Sequence, residues 1–230
     1  MKLRFLFPHL FGLILLASPA AAQRCPVDYG FQGSYNFGHE AKSFTHVHRL
    51  SEIDGRIITR INEQLTKRVG NTFFAKLRFD YGTVEDWDDT RSLSPSDSGR
   101  IDGYDFVFKF SDRRKGLKAF HFKVVANSFG TIIDDLALPD IAAAPEKADL
   151  IPCERALSVA AKNSFPRAFS SIYFVYDRES MTFTWEVHDG RPVAPDEPTF
   201  ALVGQGTYRH IVIDAHTGAV LKVYKQTIVV

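Results

Sequence analysis

The chain has 230 residues, with 28 basic and 27 acidic side chains and a formal charge of +1. That balance leaves no basic excess to gather nucleic acid or anionic lipid. The 20 Phe, 8 Tyr and 2 Trp are a heavy aromatic load, which favours strands with large cross-strand side chains over a helical bundle.

Residues 1–22 read as an export signal. Lys2 and Arg4 supply a positive start, residues 10–17 (LFGLILLA) a short apolar run, and Ala20, Ala21 and Ala22 a small-residue cleavage site before Gln23. The run is far short of the ~20 apolar residues that span a bilayer. Gln23 and Arg24 precede Cys25 where a lipid-attachment site wants small residues, which argues against lipidation. Removing Lys2 and Arg4 from the 28 basic residues leaves 26 against 27 acidic ones, a formal charge near −1. No later stretch is apolar enough to cross a membrane, so the expected location is periplasmic or secreted.

Two cysteines remain, Cys25 and Cys153. In an oxidising compartment an even pair reads most simply as one disulfide, tying the mature N-terminus to the middle of the chain. Two buried thiols or one reactive thiol are the alternatives.

Residues 23–50 are punctuated by Gly30, Gly33 and Gly38 and read as irregular, with a short strand at 44–48. His46 and His48 would share a face of that strand, with His39 nearby. No third ligand is set by spacing, which favours solvated or packed histidines over a metal site. A helix is predicted from Ser51, with Asp54 three residues on as a variant capping box. Ile53, Ile57, Ile61 and Leu65 form one apolar stripe, and Gly70 and Asn71 end the helix. Strands follow at 74–81, 104–110 and 117–125. Tyr104, Phe106, Phe108 and Phe110 share one face, as do Phe120, Phe122 and Val124. A fourth strand is predicted over 131–138. Residues 82–103 hold Glu85, Asp86, Asp88 and Asp89 around Trp87, without the alternation and glycine of a calcium loop; they read as a solvated acidic loop.

Residues 139–148 (PDIAAAPEKA) read as a linker. A second helix is predicted over 149–165, with Pro152 near its first turn, then strands at 171–177 and 181–187. The latter places Met181, Phe183, Trp185 and Val187 on one face. After an insertion at 189–206 comes residues 208–224, YRHIVIDAHTGAVLKVY, which read as a hairpin. Asp214 can accept from the amides that follow it, and Gly218 can take the left-handed conformation that closes the loop. Residues 120–136 repeat the pattern with Gly130 in place of Gly218, implying a repeated unit.

The second half resembles the PepSY domain family over residues 149–226. The resemblance lies in a helix bearing Ala156 and Ala160, a strand containing Trp185 and Val187, and a closing hairpin in which Asp214, Ala215, Thr217, Gly218, Val220 and Leu221 match the family pattern. The first half has NSFG at the turn and no Trp on its middle strand, and joins the family through the internal repeat alone. The resemblance implies an α+β fold of two tandem cystatin-like units, each a helix packed on a four-stranded antiparallel sheet. The divisions are then 1–22, 23–50, 51–138, 139–148 and 149–230. It further implies peptidase inhibition or protein binding, with matched residues that are structural.

No HExxH, G-x-S-x-G, Walker loop, dinucleotide glycine pattern or deaminase signature is present. His210 lies on a strand with no catalytic partner indicated and reads as a packed or surface histidine. The expectation is therefore an exported, non-catalytic protein-binding chain with no catalytic, cofactor-binding or metal residues. Its partner would be a secreted or envelope protein, a peptidase among the options. An envelope assembly module, or a small-ligand carrier or enzyme with a helix–sheet pocket, are the alternatives.

Overall fold

A computed structural model describes residues 25, 27–32, 43–86, 103–167, 170–189 and 205–229. Residues 1–22, expected as an export signal, His39, Trp87, Asp88 and Asp89, and most of the insertion at 189–206 lie outside the described residues.

The first helix, α1 (Gly55–Phe74), starts later than its capping-box pattern suggests. Ser51 falls in a short 3-10 turn (Leu50–Glu52), and Asp54 is the N-cap. The Asp54 carboxylate accepts from the Arg56 amide at 2.8 Å and from its guanidinium at 2.7 Å. It thereby satisfies an amide that the helix itself cannot pair. Ile61, Leu65, Val69 and Phe73, each four residues on, form the buried stripe. At Gly70 the backbone leaves the helical region (φ 73°), a conformation glycine adopts without a Cβ penalty. One further turn follows and carries Phe73 into the core.

Five strands make the first sheet: β1 (Val27–Gln32), β2 (Ser43–Val47), β3 (Arg78–Asp86), β4 (Gly103–Asp112) and β5 (Leu117–Asn127), in the order β1-β5-β4-β3-β2. Strands β2 to β5 are antiparallel, while β1 adds in parallel to the other side of β5. Phe106, Phe108, Phe110, Phe120, Phe122 and Val124 all point into the core, as their alternation requires. The strand predicted over 131–138 does not form. After Gly130 only a single bridge, Ala126 to Ile132, continues the sheet. Beside it the Thr131 carbonyl accepts from Asn127 and the Ile133 amide donates to Val125, and the Gln64 side chain takes the neighbouring groups on the other edge. It donates to the Gly130 carbonyl at 2.7 Å and accepts from the Ile132 amide at 3.0 Å.

The second half holds α2 (Cys153–Lys162) and β6 (Ser170–Asp177), β7 (Thr182–Asp189), β8 (Gln205–Asp214) and β9 (Val220–Val229). The four strands are antiparallel in chain order. Helix α2 is shorter at both ends than predicted, with Pro152 as its N-cap and Asn163 closing it. Met181 does not join the Phe183–Trp185–Val187 face. It sits at positive φ in the turn before β7 and is exposed, with its sulfur accepting from the Tyr176 hydroxyl.

The architecture is thus α+β, with both sheets sharing one core. Phe110 and Phe120 of the first sheet meet Phe174 and Phe183 of the second at ring separations of 5.3–6.2 Å, several edge to face. Phe73 of α1 packs on both Phe110 and Phe183. Strand β6 runs alongside β1. Each fully buried Phe contributes about 1.5–3 kcal/mol of transfer free energy, so this aromatic contact is a principal link between the sheets. Residues 139–148 reach the core through Ile141, which is buried, and the Ala142 amide donates to the Arg68 carbonyl. No helix among the described residues is long and apolar enough to cross a membrane.

Candidate functional site

Cys25 and Cys153 are bonded, with their Cα atoms 6.2 Å apart and 128 residues between them in sequence. The bridge joins Cys25, two residues before β1, to the first turn of α2. It lies over Gly116 in the β4–β5 turn, where an added Cβ would stand 2.9 Å from Cys153 Cβ and 3.1 Å from Cys25 Cβ. Gly116 is also left-handed (φ 79°), so both its conformation and its surroundings require glycine.

Of the residues matched to a family pattern, Trp185 is fully buried and donates from Nε1 to the Ile151 carbonyl at 3.2 Å. Asp214 shapes the closing turn. Its Oδ1 accepts from the amides of His216 at 2.8 Å and Thr217 at 2.6 Å, and its own amide donates to Ala219 across the turn. Gly218 is left-handed (φ 81°), and the Thr217 hydroxyl accepts from the Ala219 amide. Ala215 is buried and exchanges backbone hydrogen bonds with Phe183 and Ile151. The Gly130 turn is similar but one residue shorter. Asn127 Oδ1 accepts from the amides of Phe129 and Thr131, each at 3.0 Å, and Gly130 is left-handed (φ 76°). Both glycines abut the helix of their own half: Gly130 faces Ile57 and Arg60 of α1, and Gly218 faces Arg155 of α2.

His46 and His48 are both exposed, with His46 on β2 and His48 just beyond it. Among the described residues no three His, Cys, Asp or Glu side chains are placed to hold a metal ion. A shallow groove of about 510 Å³ lies along α1, lined by Thr59, Asn62, Glu63, Thr66 and Lys67.

The chemistry-bearing groups lie on the sheet faces turned away from the shared core. On the first sheet, Asp80 pairs with Lys109 and lies 3.4 Å from His121 Nε2, while Lys123 pairs with Asp105. Lys109 and His121 are direct cross-strand neighbours. On the second sheet the alternation that sends Phe183, Trp185 and Val187 inward sends Glu186 and His188 outward. The register places His188 opposite His210 and His210 opposite Tyr224. The result is a row of rings: Tyr173 to His188 at 4.6 Å, His188 to His210 at 4.1 Å, and His210 stacked on Tyr224 at 4.8 Å. Glu186 Oε2 lies 3.5 Å from His188 Nε2.

His210 is 1% exposed, and neither of its ring nitrogens has a hydrogen-bond partner. Burial, and then the neighbouring His188 ring, push its pKa below the ordinary imidazole value, against an opposing pull from Glu186. Tyr224 is pushed up, first by burial and then by Glu186. The packed reading of His210 therefore holds. Sequence reasoning missed its partner, His188, because their pairing depends on the β7–β8 register across the insertion at 189–206. Comparisons with family profiles, with curated protein sequences and with solved structures returned no match.

Proposed function

We propose that the mature chain is an exported, non-catalytic protein-binding module built from two PepSY-like, cystatin-like units, and that its partner is a secreted or envelope peptidase, which it inhibits. One observation carries the reading: among the described residues, the side chains between helices and sheets, where such folds hold ligands or catalytic groups, are apolar and closed to solvent. Ile61, Leu65, Phe120, Phe174 and Trp185 lie there at or below 1% exposure. An interior of this kind offers a substrate no opening, which turns attention to the outer surfaces. The similar asparagine and aspartate turns, each with a left-handed glycine against its own helix, support the tandem reading. The disulfide suits an oxidising compartment.

The test is titration of the purified, disulfide-bonded protein into secreted serine, cysteine, aspartic and metallo-peptidases, with parallel size-exclusion chromatography. Stoichiometric inhibition of one class together with a co-eluting complex supports the proposal. Full peptidase activity in every class, with the protein eluting alone, refutes it.

A further inference from the structure

We propose that His188 and His210 form an acid-sensitive latch that holds the edge strand β9 against the second sheet. Two independent placements lead here. His210 is buried between β7 and β9 with both ring nitrogens unpartnered. A neutral imidazole has one donor and one acceptor, and leaving both unmade in a dry site carries a desolvation cost that calls for an explanation. The second placement is the His188 ring, 4.1 Å away, with Glu186 at its far nitrogen.

The groups facing His210 leave it no partner for a charge. From β7 come Glu186 and His188; from β9 come Lys222 and Tyr224; from β6, Tyr173 packs on His188. The Glu186 carboxylate lies at His188 Nε2 and not at His210. A proton added to His210 therefore finds no acceptor where the ring sits. His210 can charge only by reaching water. Its cover on one side is Tyr224, and β9 is the sheet's edge strand, pairing with β8 alone among the described residues. An edge strand is the element that opens at least cost. Above the imidazole range the latch is closed; on acidification β9 lifts.

The proposal is read without any partner, so it stands or falls separately from the inhibitor reading. Amide hydrogen exchange on the disulfide-bonded protein, corrected for intrinsic rates, tests it between pH 7.5 and 5. The expected result is an opening equilibrium for residues 220–227 that rises by up to about tenfold per pH unit below pH ~6.5. The central turns of α1 should change less, and His210→Phe, which keeps a ring on Tyr224, should abolish the rise. Equal protection of β9 at both ends of the range, or the same rise in His210→Phe, overturns the latch. If that variant does not fold, the ring resonances of the unaltered protein decide. His210 charging at or above the ordinary imidazole pKa while β9 stays protected also overturns it.

Discussion

Trp185 and Ile151 are joined by a hydrogen bond from the indole to the carbonyl across 3.2 Å, entirely inside the core. Ile151 in turn donates its amide to Ala215. The segment leading into α2 is thereby stitched both to the middle of the second sheet and to its closing turn. Trp185→Phe removes the donor, strands the Ile151 carbonyl and leaves a void. We expect a loss of about 2–4 kcal/mol, measured as a lower urea midpoint at unchanged slope.

The two left-handed glycines should differ in tolerance. An alanine at either position pays about 1–2 kcal/mol for the backbone conformation. At Gly218 the added Cβ meets only side-chain atoms, Ile151 at 3.4 Å and Arg155 at 3.7 Å, which are ordinary contacts. At Gly130 it meets the Ile57 carbonyl oxygen at 3.0 Å and the Ile57 Cα at 3.2 Å, and helix backbone cannot swing aside. Gly130→Ala should therefore lower the melting temperature more than Gly218→Ala. Equal shifts would contradict the close approach.

Asp214→Ala deprives two amides of the closing turn of their acceptor at once. A cost of about 1–2 kcal/mol follows from comparable capping losses. Asp214→Asn, which keeps an acceptor oxygen, should recover most of it. Thermal denaturation of the pair of variants distinguishes loss of the acceptor from loss of charge.

Asp54 offers a pH check. The Arg56 side chain and amide hold its carboxyl down to about 2. A depressed carboxyl contributes stability that is complete above its unfolded value near 3.9 and lost as pH falls toward 2. Its carboxyl carbon should titrate by NMR near 2 in the intact protein and nearer 3.9 in Arg56→Ala.

Opening the Cys25–Cys153 bridge should cost up to about 4–5 kcal/mol on chain-entropy grounds, because the bridged positions are 128 residues apart. Comparison of the Cys25→Ala, Cys153→Ala double variant with the oxidised protein in urea measures it. A loss under about 1 kcal/mol would mean that the unfolded chain is scarcely restrained by the bridge.

Local chemistry was the readable part of this fold. The Asp214–Gly218 turn and the Phe faces of β4 and β5 follow from spacing within about a dozen residues and appear as expected, while the α1 stripe keeps Ile61 and Leu65 but runs on to Val69 and Phe73 and leaves Ile53 outside the helix. Most failures lie in contacts distant along the chain, and the helix start alone in a local one. Residues 131–138 carry strand-like residues, yet their bonding to β5 stops at Ile133, and Gln64 of α1 holds Gly130 and Ile132 from the other edge. Ser51 is a good capping residue, but Asp54 has Arg56 beside it and wins the helix start. The parallel addition of β1 to β5 has no periodic signature in a glycine-punctuated stretch. The histidine pair is half visible in the sequence: His210 stands alone on its predicted strand, and nothing nearby in sequence marks His188 as its neighbour.

The rings of Phe110, Phe120, Phe174 and Phe183 interleave across the two halves. Neither half can shed the other without baring half of that stack to water. Cut between residues 138 and 149, each piece would be a sticky fragment in search of its complement. Heated whole, the described chain should melt in one calorimetric step, two halves behaving as a single cooperative unit.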